Sequence, residues 1–177
     1  MAEINIKDTV AHSRETVFST FRDELTELIP HLPDVKSIEV KERNEVDEST
    51  TKVTNLWKAE PEEIPRLARA FIKPEMLNWT DYATWRQDDW ECDWDMEVGF
   101  LSDAVSCKGT TQYIVKGEDK TEVVIKGTLE VDAAKIPGVP RFGAGKIGSA
   151  VENFVVRLIT PNLTNVNRGL ESYLKAK

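Results

Sequence analysis

One stretch of the chain alternates strictly between apolar and acidic residues. Trp90, Cys92, Trp94, Met96 and Val98 fall on one parity, and Asp89, Glu91, Asp93, Asp95 and Glu97 fall on the other. Side chains of a strand point to alternate faces, so the pattern predicts a strand over about 89–99 with one buried and one wetted face. The same period of two predicts strands at about 3–10, 35–46, 50–59, 76–86, 105–116 and 121–132. Turn residues at Asp47–Ser49 and Gly117–Lys120 join neighbouring strands.

Two stretches follow the helical period instead. Val17, Phe18, Phe21, Leu25 and Leu28 recur at helical steps behind Ser13, a capping side chain. A helix is therefore expected over about 14–29, ended by Pro30 and Pro33. Ile147, Val151, Phe154, Val155 and Leu158 form a second stripe, continued by Leu163, Val166, Leu170, Tyr173 and Leu174. A long helix over about 144–175 follows, with a kink or break at Pro161. Pro61, Pro65 and Pro74 bound a short helical insert at roughly 61–74, and a Pro/Gly-rich connection covers 133–143.

The order is strand, helix, two strands, insert, four strands, long helix. This predicts an α+β fold in which a seven-stranded curved antiparallel sheet wraps a long C-terminal helix. One domain spanning 1–177 is expected, because 177 residues at 40% apolar and 31% charged suit a single soluble core. No run approaches the roughly 20 apolar residues of a membrane span. The first residues lack the apolar centre of a signal peptide, so a cytoplasmic location is expected.

Charge sharpens the picture. The net charge is −8, but residues 134–177 carry seven Lys/Arg and two Asp/Glu, or +5, which leaves −13 on the rest. An acidic body argues against nucleic acid, whose phosphates need clustered cations. The basic C-terminal segment suits transient contact with an anionic membrane or ligand head group. Ordinary solvation of a helix explains the same charges.

The opening Ile4-Asn5-Ile6 through Val10, then Ala11-His12-Ser13-Arg14-Glu15-Thr16-Val17-Phe18, resembles the start of START-like (SRPBCC) domains. Leu32-Pro33-Asp34-Val35 is similar to that family's entry into the second strand, and the Gly-rich approach to the last helix also fits. Trp57 followed by the proline-bounded insert looks like the lid region of PRELI-like phospholipid-transfer proteins. The resemblance implies a helix-grip fold that binds, and in some members transfers, lipids, sterols or polyketides. It also implies two alternatives, a polyketide cyclase/aromatase-like enzyme and a closed-core protein-interaction domain.

Candidate chemistry is concentrated in aromatic residues. Trp57, Trp79, Trp85, Trp90 and Trp94 lie within 38 residues, and shared parity would set up to four indoles on one concave face. With Met96 on the sheet, Phe71 in the insert and Val151, Phe154 and Leu158 on the helix, they form the expected apolar ligand site. The same residues would also fill a closed core, and the two readings stay open. Arg141 and Lys146 flank the expected N-terminus of the long helix, where a phosphate or carboxylate head group could sit.

Other motifs carry less. Same-face carboxylates on one strand stand about 6.6–6.8 Å apart, too far to chelate a metal alone. Cys92 and Cys107 lack metal or disulfide spacing, and His12 and His31 lie in no triad. Gly143, Gly145 and Gly148 match GxGxxG but lack the βαβ unit a dinucleotide needs, so they read as close-packing positions against the lid. Metal, cofactor and catalytic residues are therefore not expected. Asp81 and Tyr113 are the acid/base pair the enzymatic alternative would use.

Overall fold

The computed structural model describes residues 1–60, 66, 69–70 and 72–177, with the side chains of Phe100 and Leu158 outside that description. Seven strands form one antiparallel sheet: β1 (Ala2–Val10), β2 (Val35–Glu45), β3 (Thr50–Ala59), β4 (Asn78–Arg86), β5 (Glu91–Glu97), β6 (Val105–Gly117) and β7 (Lys120–Val131). Their spatial order is β1-β7-β6-β5-β4-β3-β2. The curved sheet grips α2 (Ala144–Ala176), the long C-terminal helix, and α1 (Arg14–Asp23) covers part of the same face. No described helix is long and apolar enough to cross a membrane.

Local chemistry sets the element ends. Ser13 caps α1, its Oγ accepting from the Thr16 N–H at 3.3 Å. In the β2–β3 turn, Asp47 Oδ1 accepts from the Ser49 and Thr50 N–H groups at 2.9 and 2.8 Å. Along α2, Val151, Phe154, Val155, Ile159 and Leu170 are buried against the core. Each fully buried side chain of this size stabilises the fold by about 1.5–3 kcal/mol.

Four expectations change. The helix expected over 14–29 is α-helical only to Asp23, and a 3-10 helix continues over Leu25–His31. Glu24 leaves helical geometry, and the tighter turn keeps Leu28 and Leu32 facing the core. The strand expected from 89 starts at Glu91, because Asp89 and Trp90 belong to a turn that contains no glycine or proline. Trp90 takes φ 53° there, and its N–H donates to the Gln87 carbonyl at 3.2 Å. The alternation ran through the turn unmarked.

The helix also does not break at Pro161. Pro161 and Arg157 are both exposed, so the Arg157 carbonyl that loses its partner faces water. Finally, a Cβ on Gly148 would lie 2.7 Å from Ala133 Cβ, so this glycine packs α2 against the 133–143 connection, while Gly143 and Gly145 have open space around them. The expected insert at 61–74, and with it the lid, falls largely on residues outside the description.

The two halves of α2 are held differently. From Asn165 onward, polar tethers are dense. Asn165 donates to Asp34 at 2.9 Å, and Arg168 reaches Asp8 at 2.6 Å and the Thr9 carbonyl at 2.9 Å. Ser172 Oγ lies 2.8 Å from His31 Nδ1, and Lys177 pairs with Glu24 at 2.7 Å. Gly169 allows the backbone to approach Leu32, whose Cδ2 would lie 2.4 Å from an added Cβ. Before Ile159, the described tether between side chains and the rest of the fold is the pair of the half-buried Glu152 with the exposed N-terminal amine, at 3.5 Å. Apolar packing holds that half.

Candidate ligand-binding cavity

Between the concave face of the sheet and α2 lies a cavity of about 120 Å³. An apolar cavity of about 150 Å³ is enough to take up benzene, so this one is of single-ring size. Inward-facing positions of β3, β4 and β5 build its floor, with Thr111, Tyr113, Val123 and Ile125 beyond them. Ile159, Asn162, Leu163, Val166 and Asn167 of α2 form the roof, and Phe21 and Leu25 close one side.

Trp57, Trp79, Trp85, Trp94 and Met96 all line it. Trp57 and Trp79 are register partners on β3 and β4 and stack at 5.6 Å between ring centroids, with planes 15° apart. Trp94 lies flat across the sheet. Its neighbours in register are Gly109 on β6 and then Gly127 on β7. A Cβ on either glycine would approach the indole to 2.5 or 2.6 Å, so the glycine pair makes the bed for this ring. The Trp94 Nε1–H donates to Thr111 Oγ1 at 3.1 Å.

The remaining expected site residues lie elsewhere. Trp90 does not line the cavity: its turn carries it under α1, where its ring meets Phe18 at 5.3 Å and the Arg14 guanidinium at 4.3 Å. Val151 and Phe154 are buried in the core but form no part of the wall. Arg141 and Lys146 are exposed and stand apart from it. Lys146 precedes the first roof residue, Ile159, by 13 positions of helix. At 1.5 Å per residue that is about 20 Å, so a head group there and a tail among the indoles would need a long ligand. Phe71 and the Leu158 side chain lie outside the described residues.

The cavity also contains polar atoms without partners. Asn55 faces Asp81 across β3 and β4, one inward step from the Trp57–Trp79 pair. Asn55 Oδ1, Trp57 Nε1 and Asp81 Oδ1 are sealed from solvent and make no hydrogen bond among the described residues. A buried donor or acceptor left unpaired costs about 1–3 kcal/mol, so three together mark a place that something else completes.

Burial pushes the Asp81 carboxyl up to about 7; a hydrogen bond with Asn55 opposes the shift and the Asp95 charge adds to it. Burial likewise drives Tyr113 and Cys92 well above their ordinary values, so the phenol and the thiol stay protonated. Among the cavity carboxyl, phenol and thiol, only Asp81 titrates near neutrality.

Asn55 and the glycine pair were missed in the sequence. Asn55 had a signal: it sits at inward parity between Val53 and Trp57. The outer face of β5 is a separate matter. There Arg86 binds Asp89 at 3.1 Å and also pairs with Glu91 and Asp93, which ties the acidic row to the β4–β5 turn.

No protein-family model matches the sequence, and no curated protein sequence matches it closely. Solved structures do. A protein from Thermus thermophilus superposes with a TM-score of 0.66 at 22% identity, covering 99% of this chain and 98% of that one. The Zhui aromatase/cyclase of a Streptomyces species gives 0.62 at 14%, covering 98% and 95%. A START superfamily protein from Mycobacterium smegmatis gives 0.54 at 16%, covering 98% and 97%. At these identities the likeness is one of fold.

Proposed function

We propose that this chain, which has the helix-grip fold of START-type proteins, binds an apolar or amphipathic small molecule in the cavity between its sheet and α2. The observation that carries the reading is a cavity walled by four indoles and still holding three unsatisfied polar atoms. A closed core would have no reason to keep them. Apolar walls supply affinity at roughly 25 cal/mol per Å² buried, less the cost of ordering the ligand.

Size limits what fits without movement. Drug-sized ligand pockets run to about 300–1,000 Å³. A lipid, sterol or polyketide therefore enters this fold only when the roof moves outward. Ile159, at the near end of the roof, adjoins the half of α2 with the fewest polar tethers, so this end is the part able to do so, and carriage or transfer of such a ligand rests on that movement. The test is native mass spectrometry of freshly purified protein, followed by organic extraction. A defined extra mass, released on denaturation and recovered in the extract, supports binding. An apo mass that persists after incubation with aromatic, fatty and sterol ligands sinks it.

A second reading has one observation behind it. A carboxyl titrating near 7 inside an apolar cavity, with the Tyr113 phenol in the same wall, is suited to proton transfer. This supports a cyclase/aromatase-like enzyme. Product formation that survives Asp81→Asn unchanged would remove it.

A further inference from the structure

The three orphan atoms constrain the ligand more tightly than the apolar walls do. Trp57 Nε1–H can only donate, Asn55 Oδ1 can only accept, and a carboxyl does either according to its proton. They occupy neighbouring inward positions on β3 and β4, in the register that places Asn55 opposite Asp81 and Trp57 opposite Trp79. All three residues line the same cavity.

Few functional groups complete such a set. A carbonyl accepts from Trp57 and leaves Asn55 Oδ1 unmet. A carboxylate, an acceptor only, likewise leaves Asn55 Oδ1 unmet. An ammonium presents its cation to the Trp57 N–H. A hydroxyl has one donor and two lone pairs, so it accepts from Trp57 and donates to Asn55 or Asp81. The walls set the body that carries it. The stacked Trp57–Trp79 pair and Trp94, flat on its glycine bed, present planar surfaces, and the volume is that of one ring.

We infer that the cavity selects a hydroxylated aromatic ring, held by its hydroxyl between Trp57 Nε1, Asn55 Oδ1 and Asp81 Oδ1. This rests on the cavity being the binding site. For a larger ligand, the ring is the part that lodges here.

Phenol and toluene test it, because they differ little in size and differ in the hydroxyl. Each is titrated into the whole protein and followed by NMR shifts of the indole N–H signals. The expected result is saturable 1:1 binding of both, with phenol at least tenfold tighter. In Trp57→Phe the ring stays and the donor goes, so the preference for phenol shrinks while toluene affinity holds. Asn55→Leu, close in volume, carries the same test if Trp57→Phe fails to fold. Toluene binding as tightly as phenol would overturn the inference and leave the cavity assignment standing; a resident water that already satisfies the three atoms would give that result. Binding of neither compound would overturn both.

Discussion

The two ends of the concave face are lined with the same kind of side chain and behave differently. Under α1, Phe18 is 1% exposed and meets Trp85, Trp90 and Tyr113 edge-on at 5.1, 5.3 and 5.4 Å. Every ring is in contact with another. Under α2, the indoles of Trp57, Trp79 and Trp94 face Ile159, Asn162, Leu163, Val166 and Asn167, and a cavity remains. The sheet offers a bowl of aromatics in both places. What the covering helix sends down decides the outcome: a phenylalanine makes a core, whereas amides and short aliphatics leave a hole. Trp85 belongs to both ends, touching Phe18 on one side and the cavity on the other.

The comparison can be broken most severely at Phe18. Phe18→Ala should cost about 3–5 kcal/mol in chemical denaturation, because the surrounding rings cannot collapse into the gap. A cost below 1 kcal/mol would mean that this end is no more closed than the other. Gly127→Ala comes next. Its Cβ would sit 2.6 Å from the Trp94 ring and 2.7 Å from the Lys108 carbonyl oxygen, so a loss of about 1–3 kcal/mol is expected, with altered fluorescence of the displaced indole.

Val166→Phe converts one end into the other. A ring sent down from α2 should fill the cavity and abolish small-ligand binding by titration. Stability should change by less than about 1.5 kcal/mol, since a hole is being filled. Retained binding would show that the roof is not where the ligand sits.

The last prediction is a slope. The native Asp81 carboxyl keeps its proton up to about 7, whereas the unfolded group releases it near 3.8. Between those values the native state binds more protons, so this group's contribution to stability falls as pH rises and levels off above about 7. Below the unfolded value the penalty is absent. Denaturation midpoints of the native protein and Asp81→Asn should therefore diverge with rising pH across that window. Parallel curves would mean that the carboxyl is not buried in the folded state.

Much of the architecture was legible because period-two alternation reports which face is buried. Ile4 and Ile6, Trp79 and Trp85, and Cys92, Trp94 and Met96 all lie where parity assigns them. The cap at Ser13 and the α2 stripe were legible for the same kind of reason, a local rule with a local cause. Trp90 was misplaced because parity cannot see a turn made of Gln, Asp, Asp and Trp. Pro161 misled because its effect depends on which side of the helix faces water. The site was legible only in part. Trp57, Trp79, Trp85, Trp94 and Met96 could be assigned to one concave face, but core and cavity use the same residues. The difference lies in fit between elements distant in sequence, and only Asn55, polar at a buried position, hinted at it.

Pro161 has a mechanical consequence. Consider α2 as a beam clamped at one end, with fastenings to Asp34, Asp8, His31 and Glu24 from Asn165 to its C-terminus. One rung of its hydrogen-bond ladder, from position 161 to the Arg157 carbonyl, is missing on the outer side, at the level of the roof residue Ile159. Bending compliance is greatest where a rung is absent, so it concentrates directly above the cavity. A guest that presses on the roof loads that joint first, and the clamped end and the sheet beneath it carry little of the strain.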